Sequence, residues 1–216
     1  MYVHGLASNS LLWQAMAEDM SLHGFKGAAI DQRGHGRSDR PSATEFSVER
    51  IRQDLLEFIE MLEIIDLGWK HPILLGQSWG CAVVLDFIAH FPSLASGAVL
   101  VDGGFGVMKE RFPTWELCAE MLAPPRFTGI TLDELEARLR QSHSDWPESG
   151  ILATLANLEE DSDGHARARL SFDSHMAILH DLWEFDPPSL APMISTPVEF
   201  VVALNDDMGG RDSKIA

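Results

Sequence analysis

The stretch LLGQSWGCAVV, residues 74–84, decides how the rest of the chain is read. The apolar run Ile73-Leu74-Leu75 enters it, and the small and apolar residues Cys81-Ala82-Val83-Val84 leave it. Between them stands Gly76-Gln77-Ser78-Trp79-Gly80. A strand that turns sharply into a helix needs residues without Cβ where the two come close, and the glycines two positions either side of Ser78 meet that need. Such a turn projects the serine hydroxyl over the end of a sheet. It also sets the unpaired N–H groups and positive dipole end of the following helix behind it. An oxyanion developing there would be stabilised, with the Trp79 N–H as one donor. The pattern predicts a serine nucleophile, which needs a base to take its proton.

Outward from this turn, short apolar runs alternate with amphipathic stretches. That is the pattern of a mainly parallel sheet covered by helices, an α/β fold. Strands are predicted at residues 2–4, 27–30, 71–75, 97–101 and 197–204, and helices at 11–22, 48–64 and 81–90. In the second helix Ile51, Leu55, Ile59 and Leu62 share one face and Glu49, Gln53, Glu57 and Glu60 the other, a core-packing stripe. Residues 105–187 lose the strand signal and read as helices rich in Met, Trp and Leu, broken by Pro124-Pro125 and Pro147. They are too many for a loop. The expected organisation is a core over residues 1–104, an inserted helical cap over 105–187, and the rest of the core over 188–216.

The chain has 216 residues, 45% of them hydrophobic, enough to bury a core. Lys+Arg 16 against Asp+Glu 33 gives a formal charge of -17, which repels nucleic-acid phosphates and anionic membranes. No nucleic acid or membrane partner is expected. Cys81 and Cys118 make neither a disulfide framework nor a metal-ligand spacing. No signal peptide or long apolar window is visible, so the expected location is cytoplasmic. No metal is implied by the cysteines, and no cofactor is implied either, since the glycines of residues 31–39 do not follow a phosphate-cradling pattern.

Three motifs in order, His4-Gly5, Asp31-Gln32-Arg33-Gly34-His35-Gly36-Arg37-Ser38-Asp39 and Gly76 to Gly80, resemble the α/β-hydrolase fold superfamily, in particular serine hydrolases with a helical cap. The resemblance implies that Leu6 gives the second oxyanion N–H beside Trp79. His4 would orient that loop, and the loop around His35 would be a structural turn. It also implies the chain order serine, acid, histidine. The acid falls beyond the strand after the cap, where Asp206 and Asp207 both fit, and Asp102 at the end of the fourth strand is the alternative position. The histidine is expected later still, yet none follows His180. The expectation is a chain short of the family pattern at both ends, lacking the hairpin before His4-Gly5 and the last strand and helix. The base is then unassigned, with His175 and His180 in the cap as substitutes, and an exposed sheet edge would favour a homodimer.

A serine at the elbow sets the chain apart from epoxide hydrolases and haloalkane dehalogenases of this fold, which resemble it but carry an aspartate there. The expected reaction is attack on a carboxylic ester or related small acyl substrate through an acyl-enzyme, as in carboxylesterases (EC 3.1.1). Alternatives are a carbon–carbon bond hydrolase, a catalytically incomplete or binding protein of the fold, and an aminopeptidase similar to proline iminopeptidases. In the last, the acidic run Glu159-Glu160-Asp161-Ser162-Asp163 would read a free amino terminus.

Overall fold

The computed structural model describes residues 1–203. Five parallel strands form the sheet, β1 (Tyr2–Val3), β2 (Ala29–Ile30), β3 (Ile73–Gln77), β4 (Gly97–Val101) and, last in the chain, β7 (Val198–Val201). Their order is β2-β1-β3-β4-β7, so β3, which carries the Ser78 turn, lies at the centre. Parallel strands need crossovers, and the helices supply them. α1 (Gln14–Leu22) follows β1, α2 (Val48–Ile65) follows β2, and α3 (Trp79–His90) follows β3.

The amphipathic stripe of α2 packs as its periodicity requires, with Ile51, Leu55 and Ile59 buried in the main core. Ser47 caps this helix by accepting from the Arg50 N–H at 3.2 Å. α3 is buried along nearly its whole length, from Trp79 to Ala89. Inside it, Asp86 is paired with Arg52 of α2 at 2.8 Å, which satisfies a carboxylate that burial alone would disfavour.

The segment between β4 and β7 holds α4 (Met108–Arg111), α5 (Trp115–Leu122), α6 (Leu132–Ser142), α7 (Glu148–Leu155), α8 (Phe172–Glu184) and α9 (Pro187–Leu190). It also holds an antiparallel hairpin, β5 (Leu158–Glu160) with β6 (Ala166–Ala168), which corrects the expectation of helices alone. Neither strand has β-branched residues; the turn and a cross-strand ion pair make it. The Asp161 carboxylate accepts from the Asp163 and His165 N–H groups, each at 2.9 Å, and Gly164 takes φ +79. Glu159 faces Arg167 directly across the ladder and meets it at 2.7 Å. Two links tie this segment to the first core residues. Asn9 donates to the Ala153 carbonyl and the Asn157 side chain, both at 2.7 Å, and Arg40 forks onto Glu159 with two 2.7 Å bonds.

Candidate active site

Ser78 sits between β3 and α3 at φ 51, ψ -119, a region that L-residues avoid and that only an over-determined turn maintains. The surrounding glycines show how it is held. A Cβ on Gly76 would lie 2.5 Å from the Gly80 carbonyl oxygen, and one on Gly80 would lie 2.4 Å from that of Val3. Strand and helix therefore approach as the flanking glycines predict, and Gly80 brings β1 against the start of α3. The Ser78 N–H is bonded to the Val101 carbonyl of β4 at 3.0 Å, and its own carbonyl accepts from the Cys81 N–H at 2.9 Å. The backbone is clamped, while the residue itself is exposed beside buried Trp79 and Gly80.

Gly5 belongs to the same cluster, since its Cβ would fall 3.2 Å from that of Ser78. The two N–H groups expected to receive an oxyanion, those of Leu6 and Trp79, find no acceptor among the described residues. A backbone donor left open next to an exposed serine on a strained turn is what an oxyanion site requires.

The loop carrying Leu6 is held by two buried histidines. His4 Nε2 accepts from the Gln32 N–H at 3.0 Å, and its Nδ1 lies 2.7 Å from the Gly5 carbonyl. His35 Nε2 accepts from the Ala7 N–H at 3.1 Å, and its Nδ1 lies 2.9 Å from the Arg33 carbonyl. Both rings therefore carry their proton on Nδ1. Burial pulls His4 down to about 4; burial and then the neighbouring His4 pull His35 down to about 3. Each is a neutral acceptor whose protonation would break the bond it makes, so neither serves as the base. His35 also stacks on Trp79 at 5.5 Å between ring centres, linking the loop at Leu6 and Ala7 to the residue after Ser78. Sequence reading assigned His35 only to a turn and missed this link.

A model of the alpha/beta hydrolase fold matches residues 1–174. The chain belongs to that family. Epoxide hydrolase 3 of Mus musculus is 26% identical over 104 residues, a match covering 48% of this chain and 27% of that protein. The 2-(acetamidomethylene)succinate hydrolase of Mesorhizobium japonicum is 31% identical over 102 residues, covering 47% of this chain and 34% of that one. The chain thus matches about a third or less of the length of these relatives. Among solved structures, E-2-(acetamidomethylene)succinate hydrolase superposes with a TM-score of 0.71 at 24% identity, over 92% of this chain and 70% of that one. The thioesterase domain from the curacin biosynthetic pathway gives 0.70 at 20% identity, over 99% and 78%. These likenesses establish the shared fold.

Within this alpha/beta hydrolase, the other expected residues separate. Asp206 and Asp207 lie outside the described residues. Asp102 closes β4 with φ 49, and its carboxylate accepts from the Ala203 N–H at 3.4 Å. It stands next to Gly103, whose Cβ would lie 2.6 Å from the Ser78 carbonyl oxygen, so the end of β4 and the elbow are in contact.

His175 and His180 both lie on α8 but on different faces. His175 is buried and borders the same cavity as His35, and burial lowers the pKa of its ring. His180 is exposed and meets Trp115 edge-on at 4.8 Å. Among the described residues no histidine hydrogen-bonds the Ser78 hydroxyl. In the acidic run, Glu159 is gripped by Arg40, Arg167 and Arg169. The Arg40 fork, the largest cause, holds its carboxyl down at about 2. Among the described residues no helix is long and apolar enough to cross a membrane.

Proposed function

We propose that this hydrolase acts on a carboxylic ester or related acyl substrate through an acyl-enzyme on Ser78. The observation that carries the reading is the exposed Ser78 at φ 51, ψ -119, with the Leu6 and Trp79 N–H groups open beside it. Ser78 Oγ attacks the acyl carbon, and the carbonyl oxygen gains negative charge between those two N–H groups. The base takes the serine proton and passes it to the alcohol oxygen as the acyl C–O bond breaks; water then attacks the acyl-enzyme in the same frame, releasing the carboxylic acid and restoring the Ser78 hydroxyl. The family order assigns orientation of the base to Asp206 or Asp207, with Asp102 the alternative. Of the two α8 candidates for the base, His175 is the one to test first, because it borders the cavity beside His35 whereas His180 packs on Trp115.

A serine at position 78 argues against epoxide opening, for which the resemblance expects an aspartate. For the aminopeptidase reading, Glu159 of the acidic run is already engaged by three arginines, so a free amino terminus would have to be read by the other carboxylates of that run. The test is hydrolysis of p-nitrophenyl butyrate and labelling by a fluorophosphonate, with Ser78→Ala and His175→Ala alongside. Hydrolysis and labelling that vanish in Ser78→Ala support the proposal. Background hydrolysis in every protein, or activity indifferent to Ser78→Ala, overturns it for this chain. Loss in His175→Ala with labelling reduced would assign the base.

A further inference from the structure

A cavity of about 770 Å³ lies between the loops at Ala7 and Gly36 and the segment that follows β4. That volume suits an extended organic ligand rather than a single water or ion. Much of its wall is apolar, with Phe127, Leu135, Leu139 and Phe172. Its charge is one-sided: Arg126, Arg138, Arg167 and Arg169 line it, and no carboxylate among the described residues does. The chain as a whole has Asp+Glu 33 against Lys+Arg 16, so a wall drawn without bias would carry mostly acids.

Ion pairing behind the wall does not cancel this charge. Arg167 and Arg169 meet Glu159 at 2.7 and 3.4 Å, but that one carboxylate is also held by Arg40. Arg126 and Arg138 are exposed and have no carboxylate partner among the described residues. Arg126 lies over the Phe172 ring at 4.3 Å, which holds the guanidinium against the cavity wall. At the other side the cavity is bordered by Ala7, directly after Leu6, and by His35, which stacks on Trp79. Ser78 itself does not line it.

We propose that the cavity takes the anionic end of the substrate, a carboxylate or phosphate on an apolar chain, and so selects acidic acyl compounds over neutral ones. This rests on the serine-hydrolase reading, because it makes the cavity the extension of the site at Ser78. Guanidinium forks match the planar or tetrahedral oxygens of such groups, and the apolar wall accommodates the chain between them and the ester. The net negative charge of the rest of the surface would otherwise repel these substrates, so a local cationic wall also serves discrimination.

Binding is measured by calorimetry on the Ser78→Ala protein, so that turnover plays no part, with monomethyl suberate and its neutral counterpart dimethyl suberate. The half-ester is expected to bind about tenfold more tightly at low salt. The preference should shrink as ionic strength rises. Arg126→Gln with Arg138→Gln should bring the two ligands within about twofold, and lysine at both positions should recover much of the difference. Both side chains are exposed, so these variants should fold. Octyl phosphate beside octanoate shows which anion is preferred, and a preference for either supports the proposal. Equal affinity for half-ester and diester, or a preference untouched by the double glutamine variant, overturns it. An intact anion preference in a protein whose Ser78 never labels with a fluorophosphonate would instead sink the hydrolytic reading and leave the cavity assignment standing.

Discussion

The His35 imidazole accepts the Ala7 N–H at 3.1 Å, and this bond holds the loop that carries Leu6, whose N–H is the second oxyanion donor of the proposed reaction. His35→Ala removes the acceptor and opens space behind Trp79. We expect kcat on p-nitrophenyl butyrate to fall about 10- to 100-fold with KM little changed, somewhat less than the loss of an oxyanion donor itself. His35→Gln, which keeps an acceptor, should recover part of it. Steady-state kinetics on the three proteins decides the matter, and an unchanged kcat in His35→Ala would remove the positioning role.

The same two histidines set a pH dependence. In the unfolded chain each titrates near the ordinary value of 6.5, whereas in the folded protein His4 and His35 stay neutral down to about 4 and about 3. Below pH 6.5 the unfolded state therefore binds more protons. Stability from these groups is complete above that pH and is lost as the pH falls, at up to about 1.4 kcal/mol per pH unit for each. Asp86 and Asp181, whose carboxyls are raised by burial, work in the opposite direction. Comparison with His35→Gln isolates the histidine. Urea unfolding at pH 7.5, 6.0 and 5.0 should show a shallower decline in the variant; parallel declines would mean that His35 does not contribute.

Ser78 holds its backbone at φ 51, ψ -119 at a cost that glycine would not bear. Ser78→Gly should therefore raise stability by about 1 kcal/mol while abolishing ester hydrolysis. The denaturation midpoint checks it, and a clear drop in stability would show that the turn is not strained.

Gly80 has no room for a methyl group: a Cβ would stand 2.4 Å from the Val3 carbonyl oxygen and 2.6 Å from that of His4. Both neighbours are backbone, so relief requires β1 and α3 to separate. Gly80→Ala is expected to destabilise by about 1–3 kcal/mol and to lower activity further by moving the oxyanion loop away from Ser78. Gly106→Ala, where a Cβ meets nothing within 4 Å, is the control and should be near neutral in thermal unfolding.

Among the described residues β7 forms one edge of the sheet, with Phe200 and Val201 nearly half exposed. Such an edge offers unpaired backbone groups to a second copy. Sedimentation velocity should find a concentration-dependent dimer that Val201→Lys weakens; a monomer over the full concentration range would exclude edge pairing.

Much of the architecture was legible in local patterns. The glycines around Ser78 announced a strand-turn-helix by their spacing, because only residues without Cβ permit that approach. The stripe Ile51, Leu55, Ile59 announced the buried face of α2 by its helical period. The order of the three motifs pointed to the fold before any contact was known. The β5–β6 hairpin escaped, since its strands carry no β-branched signal and depend on the Asp161 turn and the Glu159–Arg167 pair.

The sequence alone determined the α/β class, the elbow serine and the absence of any histidine after His180. Only the tertiary structure decided that His35 supports the loop at Leu6 and Ala7, that Gly103 packs on Ser78, and that Arg126, Arg138, Arg167 and Arg169 line one cavity. The physical reason is range. Periodicity and turn chemistry act over a few residues and are written in consecutive positions, whereas a binding wall is assembled by side chains far apart in sequence that meet only after helices, hairpin and sheet have packed.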